Sequence, residues 1–338
     1  MSGIDHQSAG LPKRLLGSDS AGTALPVSAL GLGGMSLTES YGAADPVEAE
    51  LTVRRALDLG VTFFDTADAY GGGENERLLG RLLGPHRSSI VLASKFGLGP
   101  GRTEGRQVDG SPGYLRQTID ASLGRLGWDS IDLYYLHRVD PQVPIEETVG
   151  ALAELVAAGK IRRIGLSEPS AATVRRAHAV HPITAVQSEY SLFHRGVEDE
   201  VLPTLRELGI GFVPYSPLGR GILTGTVTDT SFDPGDTRLS HERYQGAAFE
   251  ANLELVERLK AVAADRSVTP AQLALAWVLA QGDDIVPIPG TKRVRYLEQN
   301  VAATGIDLTP DDLAAITAAV PAEEVMGVRH PQPHLLNG

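Results

Sequence analysis

The chain has 338 residues, with 30 Lys and Arg against 42 Asp and Glu, a formal net charge of −12 and no cysteine. The absent thiols exclude a disulfide framework, a thiolate metal site and a cysteine nucleophile, and the acidic balance argues against a nucleic-acid partner, because basic clusters such as Lys160, Arg162 and Arg163 are short. No eighteen apolar residues run together and the N-terminus lacks an apolar signal segment, so a cytoplasmic protein without a membrane partner is expected.

Residues 1–12 and 326–338 lack periodicity and are expected as a flexible N-terminus and a C-terminal tail around one domain spanning 13–325. Within that domain, residues 13–27 predict a β-hairpin around GSDSAG that closes the bottom of a barrel. β-Branched runs follow at 28–33, 61–66, 90–95, 131–137, 161–167, 183–188, 210–216 and 284–290. Stretches with helical spacing accompany them near 46–60, 74–83, 113–127, 145–158, 171–180, 197–208, 270–281 and 293–303, one per strand. Gly60, Gly159 and Gly209 fall where three of these helices need a left-handed C-cap. Eight βα repeats predict an α/β fold, a single (β/α)8 TIM barrel. Two helices near 251–264 and 309–320 exceed the count, and Thr-Pro at 269–270 and 309–310 supplies helix starts. The weakly periodic segment 222–250 is long enough to be a functional loop and is expected to cover a binding site.

In a parallel barrel the interior is apolar and chemistry gathers at the C-terminal strand ends. The runs close on Asp65, Lys95, His137, Ser167 with Glu168, Gln187, and Tyr215 with Ser216, and Tyr70 lies in a glycine-rich loop able to bend back over the mouth. A phenol is a poor proton donor or acceptor near neutrality, but an ammonium beside it favours the phenolate, so Lys95 is expected to lower the Tyr70 pKa. Asp65 is placed to keep that ammonium charged, and His137 to donate a hydrogen bond to a substrate oxygen. Together they suit protonation of a carbonyl oxygen while hydride arrives from a cofactor, since no side chain donates hydride. One such residue at a strand end is more often a satisfied polar group than a catalyst; four at successive ends favour chemistry.

Through FFDTADAYG, LASKFG and DLYYLHRVD, the sequence resembles the aldo-keto reductase family. GLSE (165–168), AVQSEYS (185–191), VPYSPLGRGILTG (213–225), TPAQLALAWVLAQ (269–281) and PIPGTKRVRYLEQN (287–300) follow in the family's order, so the resemblance covers about 25–320. It implies a barrel with two additional helices that reduces a small-molecule aldehyde or ketone with NADP(H). Tyr70 would be the general acid, supported by Lys95, Asp65 and His137. Gly34, Met35 and Asp65 would border the coenzyme, Ser167 and Gln187 would hold the nicotinamide carboxamide, and Tyr215 would stack on its ring. Ser216, Leu218, Gly219, Arg220 and Gly221 would wrap the pyrophosphate through backbone amides, while Gly290, Thr291, Lys292, Gln299 and Asn300 would take the adenosine end.

Glu168 stands where many members have Asn, and Tyr296 where many have Arg, leaving Lys292 and Arg293 as cations for the 2′-phosphate. No dinucleotide-binding glycine fingerprint opens a helix after LGLGGMS, in keeping with that resemblance. His178 and His181 read as surface residues at a helix end and Trp277 as core. The mouth is expected to be shaped by loops 97–113, 138–144 and 222–250 and by the tail, with Met35, Phe96 and Arg138 as lining residues. Two rivals follow. A coenzyme-binding regulatory or scaffold subunit would bind NADPH with little turnover, and a hydrolase would pair the carboxylates of Asp65 and Glu168. No apolar surface patch specifies an oligomer.

Overall fold

A computed structural model describes residues 10–38, 40–99, 101–102 and 105–336; residues 1–9 of the expected N-terminal segment, and 337–338 of the tail, lie outside them. The chain opens with strands β1 (Lys13–Leu16) and β2 (Leu25–Ser28), paired antiparallel from Lys13 with Ser28 to Leu16 with Leu25. β3 (Leu32–Gly33) starts the barrel, followed by α1 (Pro46–Asp58), β4 (Phe63–Asp65), α2 (Glu74–Leu83), β5 (Val91–Phe96), α3 (Pro112–Leu126) and β6 (Ile131–Leu136). Then come α4 (Ile145–Ala157), β7 (Ile161–Ser167), α5 (Ala171–Val180), β8 (Ala185–Glu189), α6 (Val201–Leu208) and β9 (Gly211–Tyr215). The chain ends with α7 (Gly246–Asp265), α8 (Pro270–Leu279), α9 (Val294–Ala302) and α10 (Pro310–Ala319). Of these, α7 and α10 are the two additions to the repeat.

Local chemistry sets the helix limits. Asp45, Ser111 and Ser170 cap α1, α3 and α5 by accepting backbone N–H groups, and Thr269 and Thr309 form capping boxes ahead of Pro270 and Pro310. Gly60, Gly159 and Gly209 all take positive φ just past helix ends, as their sequence positions imply.

β3 to β9 form one parallel sheet in sequence order. Residues 284–290 complete the closure without a regular ladder. Val286 and Ile288 donate to the Phe212 and Pro214 carbonyls at 2.8 and 3.0 Å on the β9 side, whereas Pro287 and Pro289 only accept, from Gly31 and Gly33 at 2.9 and 3.3 Å on the β3 side. Proline has no N–H to return, so half of the ladder toward β3 cannot form. The run at 28–33 also divides: Ser28 ends the hairpin and only Leu32 and Gly33 join the barrel.

The interior is filled by Leu16, Val27, Phe63, Ala93, Leu133, Tyr135, Ala185, Val213, Val286 and Ile288. Leu16 therefore brings the hairpin into the barrel floor, where Gly211 makes room: a Cβ there would lie 2.6 Å from the Leu16 side chain. Strand alternation sends Phe96 outward, where it stacks on Tyr134 at 5.4 Å between sheet and helices, so it does not line the mouth as expected. Trp277 is core. The 222–250 loop is pinned by Thr237, whose amide donates to the Ser40 carbonyl at 2.9 Å, and by the Tyr244 hydroxyl, which donates to the Gly219 carbonyl at 2.8 Å. No described helix is long and apolar enough to cross a membrane.

Candidate active site

Parallel strands end on one face of the barrel, and there the polar ends meet. Lys95 lies two residues beyond the partner of Asp65 on β5, which lets its Nζ reach the Asp65 carboxylate, the Thr66 carbonyl at 2.9 Å and the Tyr70 hydroxyl at 3.2 Å. Gln187 donates to the second Asp65 oxygen at 2.8 Å. Tyr70 is turned over the mouth by Gly71, Gly72 and Gly73, with φ of 56°, 60° and 97°, values a side chain would strain. Its ring meets His137 edge-on at 5.9 Å. Asp65, Lys95 and His137 are all buried.

Burial works against the Lys95 ammonium, but Asp65 and Tyr70 outweigh it and hold its pKa above the usual lysine value. Burial raises the Tyr70 phenol, and this exceeds the opposing pull of Lys95. The expected lowering is thus reversed: Tyr70 keeps its proton, with a cation waiting for the phenolate that proton loss would create. Burial, then Arg138 and Lys95, push His137 well below its usual value, so it is neutral, and its Nδ1 has no partner.

Ser167 and Gln187 are cross-strand neighbours on β7 and β8, and Tyr215 ends β9 with its hydroxyl buried and unpartnered. Gln187 touches Asp65, and the Ser167 hydroxyl and the Tyr215 ring meet at Arg138; a hydroxyl, an amide and an aromatic ring are groups that suit a flat ring carrying a carboxamide. Gly34 backs this wall: its amide donates to the Asp65 carbonyl at 2.7 Å, and a Cβ would collide with Asn75. Met35, half-buried, opens the next turn. Ser216, Gly219, Arg220 and Gly221 all take positive φ around Leu218, a backbone that can present amides to an anion. The Gly219 and Gly221 amides themselves donate to the Ser216 and Leu218 carbonyls at 2.9 and 3.0 Å. Farther out, Gly290 bridges Gly33, Thr291 accepts from the Arg293 amide, and Lys292 donates to the carbonyls of Tyr41, Gly42 and Ala43. Gln299 is half-buried and Asn300 buried on α9.

Glu168, which stands where many family members have Asn, is held by the C-terminal tail. At φ 56° it turns to chelate Arg329 of the tail at 3.1 and 2.7 Å, and its Oε1 also accepts the Glu189 amide at 2.9 Å. Arg220 and Arg243 share Glu189 at 3.1 and 3.2 Å. Sequence spacing misses Arg329 and Arg243, which lie outside the strands, and Glu189, which ends β8 but pairs with Arg220 and Arg243 from the distant loop. Asp65 is held by Lys95 and Gln187, and Glu168 by Arg329, so each carboxylate is hydrogen-bonded to its own cation. A separate flank groove of about 600 Å³ gathers Arg77, Arg81, Arg87, Arg125 and Arg162, but Glu74, Glu50, Asp132 and Glu76 pair with all five. No group of metal-ligating side chains occurs among the described residues.

This barrel, with its polar mouth, belongs to the aldo/keto reductase family, whose profile matches residues 29–321, and the protein is an oxidoreductase of that class. It is 47% identical over 308 residues to the probable aldo-keto reductase 1 of Glycine max, covering 90% of this chain and 88% of that one. It resembles the solved glycerol dehydrogenase of Gluconobacter oxydans with a TM-score of 0.81 at 27% identity, covering 96% of each chain. A holo-form aldo-keto reductase of Bacillus halodurans aligns with a TM-score of 0.76 at 30% identity, covering 92% of this chain and 97% of that one.

Proposed function

We propose that the protein is a cytoplasmic, NADPH-dependent reductase of aldehydes or ketones. The observation that carries this reading is the Lys95 ammonium lying 3.2 Å from the Tyr70 hydroxyl while paired with buried Asp65. Tyr70 holds its proton at neutral pH and gives it to the carbonyl oxygen, and Lys95 stabilises the resulting phenolate in a water-poor site. Asp65 keeps Lys95 charged, and Gln187 orients Asp65. Neutral His137 directs a ring N–H at the carbonyl oxygen and thereby selects its position. Bound NADPH supplies the hydride. Ser167, Gln187 and Tyr215 would hold its nicotinamide; the 216–221 turn, the pyrophosphate; and residues 290–300, the adenosine. Lys292 and Arg293 favour the 2′-phosphate and hence NADPH over NADH.

The test is coenzyme oxidation by purified protein, followed by absorbance, with NADPH and NADH each offered against aromatic aldehydes, dicarbonyls, pyridoxal and ketones. Consumption with a panel member, faster with NADPH, supports the reading. Tyr70→Phe should lower kcat by about 10²–10⁴-fold, the contribution of general acid catalysis, while leaving NADPH affinity near wild type. Turnover within a few-fold of wild type would refute the assignment of Tyr70. Tight NADPH binding without turnover on any carbonyl would instead favour a regulatory subunit.

A further inference from the structure

We infer that the Arg138 side chain occupies the nicotinamide seat and that the coenzyme must displace it to bind, an inference that rests on the NADPH reading above. Arg138 follows His137 at the mouth end of β6 and is only 8% exposed. Its Nη1 donates to the His137 carbonyl at 2.7 Å and to the Ser167 hydroxyl at 3.1 Å. Its guanidinium carbon lies 5.9 Å from the centroid of the Tyr215 ring. One side chain thus engages both the hydroxyl and the ring face that a carboxamide-bearing ring would use, and two groups cannot share that volume.

The same contacts make Arg138 displaceable. A buried guanidinium is well held only when a carboxylate faces it and its donors are satisfied. Here the two oxygens that Nη1 reaches, the His137 carbonyl and the Ser167 hydroxyl, are neutral, and Nε is buried without a partner. The mouth carboxylates are hydrogen-bonded elsewhere, Glu168 to Arg329 and Glu189 to Arg220 and Arg243, so Arg138 feels Glu168 only as a charge at longer range, without a hydrogen bond to it. The arginine therefore sits in a shallow well over a seat that suits another occupant better. Moving it reduces apparent affinity for any ligand whose nicotinamide end must enter, by the fraction of molecules in which the seat is open. A ligand consisting of the adenosine end alone bypasses that step.

The experiment compares NADPH, followed by fluorescence in titration and stopped flow, with 2′,5′-ADP, followed by calorimetry, on the wild type and on Arg138→Ala and Arg138→Met. Departure of a side chain from a shallow well is fast against stopped-flow mixing, so the occlusion lowers the slope of the observed binding rate against NADPH and does not bend it. In both variants that slope should rise and NADPH should bind about tenfold more tightly, while 2′,5′-ADP affinity stays put. NADPH affinity that is unchanged or weaker in the variants overturns the inference, as does a shift shared equally with 2′,5′-ADP. If neither ligand binds the wild type, the coenzyme reading itself fails; if both bind and only these contrasts are absent, it survives and the role of Arg138 falls.

Discussion

Asp68 gives a quantitative test of how the loop carrying Tyr70 is built. Its side chain is fully buried, Oδ1 has no hydrogen-bond partner, and Oδ2 accepts the Tyr114 hydroxyl at a long 3.5 Å. Burial, then the nearby Glu76, raise its carboxyl to about 7, with Arg125 offsetting only part. A carboxyl raised this way binds more protons folded than unfolded, so its stability contribution is fullest below the unfolded pKa of roughly 4 and is lost as pH climbs through about 7. Integrated between pH 5.5 and 8.5, those two pKa values correspond to a loss of about 2 kcal/mol. Asp68→Asn keeps the shape and cannot ionise. Its unpaired amide adds a pH-independent cost of about 1–2 kcal/mol, which cancels when the two pH values are compared. Urea denaturation of both proteins at both pH values is the assay. The variant should gain about 2 kcal/mol on the wild type in going from pH 5.5 to 8.5. An identical gap at the two pH values would refute the assignment of a buried, nearly unpartnered carboxyl.

Two further perturbations follow from the packing. Glu168→Gln removes the charge from the tether of the tail, so amide exchange across residues 326–336 should accelerate several-fold at pH 7. Burial opposes ionisation of Glu168, but Arg329 outweighs it and holds the pKa below 4.5, so the wild-type tether forms above that value and is lost only as pH falls through the lower folded pKa. Wild-type tail protection should accordingly persist at pH 5, and its loss there would contradict the ion-pair account. Gly165→Ala places a Cβ 2.3 Å from the Tyr135 ring inside the barrel, an overpacking expected to destabilise by about 1–3 kcal/mol; an unchanged urea midpoint would show that the barrel interior relaxes.

What the sequence makes legible is whatever repeats or sits at a fixed offset. Strand ends can be read because β-branched runs stop on polar residues, and Asp65, Lys95 and Tyr70 meet because β4 and β5 are neighbours and Tyr70 follows the end of β4 after only a short turn. The same reasoning stumbles where a bond is missing from within: prolines at 287 and 289 look like part of an eighth strand, yet they withhold the N–H groups a ladder needs. It also fails for Tyr70, where proximity to Lys95 is visible in the spacing but burial, the larger influence on the phenol, depends on every surrounding element.

The charged rim is illegible for a different reason. Periodicity says which face a residue occupies, not which partner it finds there, and Glu168 finds Arg329 from 161 positions away. That pairing gives a physical reason for a carboxylate where an amide is common: an amide could accept from Arg329 but could not neutralise a guanidinium brought into the mouth by the tail. The substitution and the tether are therefore one feature, and a chain carrying Asn at 168 would have to leave Arg329 in water or supply another anion.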